Sequence, residues 1–107
     1  MPKKPTLIMN AQDCLPEKEE EFNKWYNEHA SALFEFKGLK SVARYKRIGE
    51  DENTPKYVAI YSFNNQQDYE QYMASPEREA GMKVLGRPEG VTVKFRGVFE
   101  LIKEWKR

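Results

Sequence analysis

One short segment limits what this chain can fold into more than any other. In KYVAIYSF, Lys56 to Phe63, the residues Tyr57, Ala59, Tyr61 and Phe63 fall on one side of a period-two strand, and Val58 and Ile60 fall on the other. A strand that is apolar on both sides must be covered on both. The rest of the chain is hydrophilic, with 33% of its 107 residues charged, so only a few other segments can supply the covers.

The clearest of these runs from Phe22 to Phe36, FNKWYNEHASALFEF. Phe22, Tyr26, His29 and Leu33 recur at i, i+4, i+7 and i+11, which is helical spacing, with Trp25, Ala32 and Phe36 on the flank. Pro16 suits the first turn, Glu17, Glu19, Glu20 and Glu21 suit the N-terminal end of a helix dipole, and Gly38 is expected to cap the end. The acidic run is expected to face water.

Other segments complete an order. Pro5 to Ala11 reads as a first strand, ended by QDCLP, which leaves Cys14 in a loop. Leu39 to Ile48 reads as a second strand with Leu39, Ser41, Ala43 and Tyr45 on one face, followed by the turn GEDENTP. Residues 64–86 read as helical, capped by Asn64 or Asn65 and broken at Ser75-Pro76. Tyr69, Tyr72 and Met73 form the apolar stripe before the break, and Ala80, Met82 or Lys83, and Val84 continue it. After the loop GRPEG, Val91 to Trp105 reads as a final strand with Val91, Val93, Phe95, Phe99 and Leu101 on one face and a bulge at Gly97.

The order β-α-β-β-α-β is the ferredoxin-like pattern, an α+β sandwich with two helices on one face of a four-stranded antiparallel sheet. The length fits one domain spanning 1–107. The helices leave one sheet face bare, and a second copy of the sheet is the simplest cover, so a homodimer is expected.

Composition excludes several classes. Eighteen Lys and Arg against 17 Asp and Glu leave a net charge of +1, which gives no general attraction to nucleic acid. No apolar run approaches the roughly 20 residues that span a bilayer, and MPKKPTLIMN is too short in its apolar part for a signal peptide, so a cytoplasmic location is expected. Cys14 is alone, which rules out an internal disulfide, and one Cys with one His does not make a structural zinc site.

His29 is the only histidine, so two readings stand side by side. It is either a core residue satisfied by a backbone carbonyl and packed on Tyr26, or the one side chain here able to move protons near neutral pH. The six tyrosines likewise either pack or line a pocket for an aromatic or enolic ligand. In this fold the stripes carrying Phe22, Tyr26, His29 and Leu33, then Tyr61, then Tyr72, converge on one space. Trp25 is expected to pack, and Arg44 and Arg47 to bind a carboxylate, face water or reach across a dimer.

Several segments together resemble a known family. FNKWYNEHA at Phe22 to Ala30, FKGL at Phe36 to Leu39, ARY at Ala43 to Tyr45, PKYVAIYSF at Pro55 to Phe63 and YMASP at Tyr72 to Pro76 look like the EthD-like branch of the dimeric α/β-barrel superfamily. The resemblance implies homodimers whose sheets face each other, a pocket between sheet and helices, and His29 at the motif histidine of the first helix. It implies a cofactor-independent enzyme of isomerase, cyclase or monooxygenase type, acting on a small aromatic, quinone-like or lactone compound with His29 as acid/base. The alternative within the family is a non-catalytic ligand-binding or accessory protein. Haem-degrading relatives place an asparagine on strand one and an aromatic on the later helix, which Asn10 and Tyr72 match. Their histidine ligand falls near Met82 here, so haem ranks last and no cofactor is expected. The substrate-binding set is then Tyr26, Tyr61, Tyr72, Asn10, Phe22 and Leu33.

Overall fold

A computed structural model describes residues 4–82 and 88–107. The strands β1 (Thr6–Cys14), β2 (Leu39–Lys46), β3 (Tyr57–Phe63) and β4 (Val91–Glu100) form one sheet in the order β2-β3-β1-β4, with every pairing antiparallel. The helices are α1 (Glu19–Leu33), α2 (Gln66–Met73) and α3 (Pro76–Met82), with a 3₁₀ turn at Pro16–Lys18 ahead of α1. This is the ferredoxin-like α+β fold.

The core forms where the two-faced strand meets the helical stripe. Tyr57, Ala59, Tyr61 and Phe63 are all buried, as are Phe22, Tyr26, His29 and Leu33. Phe22 is 0% exposed and sets its ring against Tyr26 and Tyr57 at 5.7 and 5.3 Å between centroids. Tyr72 of α2 closes the other end over Phe63 at 5.2 Å. Each large apolar side chain among these, such as Phe22, Leu33 and Phe63, contributes about 1.5–3 kcal/mol on leaving water.

Polar contacts pin the ends. The Glu19 carboxylate pairs with Lys56 and accepts the Tyr57 hydroxyl at 3.0 Å, so this member of the acidic run is held against the sheet rather than facing water. Asp13 accepts the backbone N–H of Lys56 at 2.7 Å. The Asn65 side chain caps α2 by accepting the N–H of Asp68 at 2.8 Å. Ser75 then breaks the helical run: its hydroxyl donates to the Tyr72 carbonyl at 2.7 Å and accepts the N–H of Arg78 at 3.1 Å, with Pro76 at the first position of α3.

Several boundaries differ from expectation. Helix α1 ends at Leu33, not at Gly38, because the N–H groups of Glu35 and Phe36 turn back to Ala32 and Leu33 in tighter i→i−3 bonds. Strand β1 continues through Gln12 and Asp13, so Cys14 ends a strand instead of lying in a loop, since Gln12 pairs with both Tyr57 and Val93. Strand β4 stops at Glu100, and residues 101–107 have no regular structure. On α3 the buried residue is Gly81, while Ala80 and Met82 are exposed. The expected continuation through Lys83 and Val84 lies outside the described residues.

Two bulges rephase the sheet. Leu39 pairs with Phe63 and Ser41 with Ser62, so Lys40 is an extra residue in β2. Leu39 therefore shares the helix-covered face with Val42 and Arg44, not with Ala43 and Tyr45. In β4 the extra residue is Lys94, since Ala11 pairs with Phe95 and Gln12 with Val93. Gly97 is not the bulge: it lies between Phe95 and Phe99, whose rings close over it 6.0 Å apart. These phenylalanines are 45% and 44% exposed on the sheet face that no described helix covers.

Gly81 lies directly against Leu33 of α1, where an added Cβ would overlap the leucine side chain. Gly81→Ala should lower the unfolding free energy by about 1–3 kcal/mol in urea denaturation. Ala80→Ser, on the exposed side of the same helix, should stay within about 0.5 kcal/mol of the parent. An unchanged midpoint for Gly81→Ala would mean that α3 does not approach α1 so closely.

Candidate functional site

A cavity of about 270 Å³ opens between the helices and the β1–β4 side of the sheet. Of the residues singled out from sequence, His29, Tyr26, Tyr61, Tyr72, Asn10 and Leu33 all border it. Phe22 does not: it fills the core one turn before Tyr26.

His29 combines features of both of its readings. It is 7% exposed, and its Nδ1 lies 2.8 Å from the Gly81 carbonyl. A carbonyl oxygen only accepts, so Nδ1 carries the proton and Nε2 is the basic nitrogen of the neutral ring. The ring is stacked on Trp25 at 4.8 Å and 10° and stands edge-on to Tyr26 at 5.4 Å. Imidazole orientation and tautomer are thus fixed by α1 and α3 together, while the ring still borders the cavity.

The tyrosines supply donors. The hydroxyls of Tyr26 and Tyr61 are hydrogen-bonded to each other. Two phenols hold two protons and share only one between them, so the second O–H is directed outward from the pair. Burial pushes both phenols above their ordinary range, Tyr61 further because it lies beside Tyr26. Burial likewise pushes Tyr72 up to about 12. These three groups are therefore neutral hydrogen-bond donors, not bases, across the physiological range.

Sequence reasoning missed part of the lining. Gln12, Trp25, Arg78, Met82, Val93 and Arg96 also border the cavity. Trp25 was expected only to pack, and it packs on His29 while forming a wall. Arg96 arrives because the Lys94 bulge rephases β4 and sets Arg96 opposite Asn10 of β1. Arg78 follows from the Ser75 cap. Arg44, expected at a carboxylate, in water or across a dimer, instead lies over the Tyr26 ring at 4.5 Å and donates to Asn23 at 2.8 Å and Asn27 at 3.2 Å. Arg47 braces the β2–β3 turn through the carbonyls of Gly49, Asp51 and Thr54. Among the described residues no group of three or more His, Cys, Asp or Glu is placed to hold a metal ion, and no helix is long and apolar enough to cross a membrane.

The raised phenols give a signed pH dependence. Tyrosines in the unfolded chain ionise near pH 10, whereas Tyr26, Tyr61 and Tyr72 resist ionisation in the folded state. Their contribution to stability is complete below about pH 10 and is lost as pH rises beyond it, because only the unfolded chain then releases these protons. Denaturation midpoints should be flat in this respect to about pH 9.5 and fall above it. Tyr26→Phe with Tyr61→Phe should reduce the fall. An equally steep fall in that double variant would assign the alkaline loss to other groups.

Solved structures share the fold. An ethyl tert-butyl ether D family protein from Bacillus halodurans is 20% identical over 92% of this chain and 99% of its own, with a TM-score of 0.66. SnoaB, a cofactor-independent oxygenase from Streptomyces nogalater, is 14% identical over 98% and 99%, with a TM-score of 0.64. A dimeric ferredoxin-like protein of unknown function from Thermobifida fusca is 8% identical over 92% and 91%, with a TM-score of 0.64. The resemblance to EthD-like proteins thus holds at the level of fold. No functionally curated protein matches the chain. A family model covers residues 11–102, and by that match the chain belongs to the family described as a domain of unknown function, DUF4286.

Proposed function

We propose that this protein is a cofactor-independent enzyme that carries out proton transfer on a small aromatic, quinone-like or lactone compound, with His29 as acid/base. The observation that carries this is convergence: an imidazole with a fixed tautomer and a hydrogen-bonded phenol pair border one small cavity. Nε2 of His29 takes a proton from carbon or oxygen of the ligand. The Tyr26–Tyr61 pair donates to the oxygen on which negative charge develops, and an enolate is stabilised by such preorganised donors. This half-reaction is common to isomerisation, cyclisation and substrate-driven oxygen chemistry, and SnoaB and the EthD family protein lend it support as fold relatives.

The burial of His29 and its bond to the Gly81 carbonyl favour a second reading, a ligand-binding or accessory protein that uses the same cavity without proton transfer. The two diverge on one residue. In turnover assays with a panel of phenols, quinones and lactones, His29→Gln should lower kcat by about 10²–10⁴-fold with little change in KM. Unaltered ligand binding in both proteins with no turnover in either would favour the binding protein.

We further infer a homodimer formed through the bare sheet face, where Leu7, Met9, Val58 and Ile60 adjoin Phe95 and Phe99. The dimeric Thermobifida relative supports it. Sedimentation equilibrium should give twice the mass of one chain, and Phe95→Lys with Phe99→Lys should give a folded monomer. A monomeric parent protein at micromolar concentration would remove this inference.

A further inference from the structure

The cavity has an unbalanced charge that the proton-transfer reading does not use. Two guanidinium groups, Arg78 of α3 and Arg96 of β4, border it, and no Asp or Glu does. Among the described residues neither arginine side chain has an ion pair or hydrogen bond. The segment 83–87 contains no acidic residue that could supply one. Two cations bordering one cavity, Arg78 half-buried and Arg96 exposed, raise the potential there and select an anion. Arginine suits this role because its planar fork matches a carboxylate or a pair of adjacent oxygens.

A second observation concerns Asn10, which sits opposite Arg96 across the β1–β4 pairing. Its Oδ1 is buried and has no hydrogen-bond partner. Buried acceptors are rarely left unsatisfied, so a donor belongs beside this atom when the cavity is filled. The Asn10 amide N–H is turned to the Tyr26 hydroxyl, which leaves Oδ1 to a donor from elsewhere. A hydroxyl group on the ligand supplies it.

Size and shape narrow the class. A cavity of about 270 Å³ lies just under the usual range for small-molecule pockets and fits one or two fused rings. Trp25 and Met82 form apolar walls on which a flat ring can lie.

We propose that the cavity binds a flat hydroxyaryl carboxylate, or an enolate with the same layout, with its anionic oxygens on Arg96 and Arg78 and its hydroxyl donating to Oδ1 of Asn10. This rests on the reading of the cavity as a ligand site and specifies what that site selects. Arg96 and Arg78 set specificity, because a neutral compound of the same shape leaves both guanidinium groups unpaired.

Isothermal titration calorimetry on the full chain tests this with 3-hydroxybenzoate, whose hydroxyl cannot reach its own carboxylate, and its neutral isostere 3-hydroxybenzamide. The benzoate should bind at least about tenfold more tightly than the amide. Arg96→Gln should remove that preference while leaving the amide within about twofold, and Arg78→Gln should reduce it. Lys40→Gln, remote from the cavity, should change neither. Circular dichroism melting confirms that each variant is folded, and Arg96→Lys, which keeps the charge, should retain part of the preference. Equal binding of benzoate and amide, or a preference untouched by both arginine variants, overturns the anion assignment and leaves the ligand site standing. Absence of saturable binding by either probe overturns both.

Discussion

The packing of one strand face against one helix stripe underlies the rest of the molecule. Tyr57, Ala59, Tyr61 and Phe63 of β3 meet Phe22, Tyr26 and Leu33 of α1, and these side chains are all but removed from water. Ala59, between Tyr57 and Tyr61 on the same strand face, is 3% exposed and belongs to the same core cluster. This contact fixes how α1 lies across the sheet. It thereby places His29, one turn beyond Tyr26, at the edge of the core, where packing ends and the cavity begins.

The cavity adds to this central contact residues from β1, β4, α2 and α3. Helix α3 reaches α1 only because Gly81 has no side chain to hold it off Leu33, and the same residue offers the carbonyl that orients His29. A single glycine therefore sets both the spacing of two helices and the tautomer of the histidine. Burial of the phenols has a comparable double effect. It stabilises the fold through apolar ring surface, and it keeps their hydroxyls protonated and able to donate. Structure and chemistry use the same groups here, and so His29 appears as both a satisfied core residue and a cavity residue.

Much of this was legible in the sequence. The element order, the α1 stripe, the two-faced β3 and the break at Ser75-Pro76 follow from periodicity and local backbone chemistry. The gathering of His29, Tyr26, Leu33, Tyr61 and Tyr72 on one cavity followed from the fold class once that order was known, whereas Asn10 was marked only by the resemblance to haem-degrading relatives. Arg78, Arg96 and Gln12 were not legible. A charged residue in an alternating strand looks solvent-facing on either face, and nothing in VTVKFRGVFE marks Lys94 as the extra residue.

What the sequence determined by itself is the set of amphipathic elements, because helical and strand periods arise within a few residues and need no distant partner. It determined equally that one sheet face would remain apolar beyond what two helices cover. Only the tertiary structure decided the phase of β2 and β4. A bulge costs the ladder one residue and is chosen by how the paired strands and the helices above them fit together, not by the local sequence. The Lys40 bulge turned Arg44 onto Tyr26, and the Lys94 bulge turned Arg96 toward Asn10 while leaving Phe95 and Phe99 on the bare face. The cavity's positive charge is thus a property of strand register, which exists only once the strands are paired.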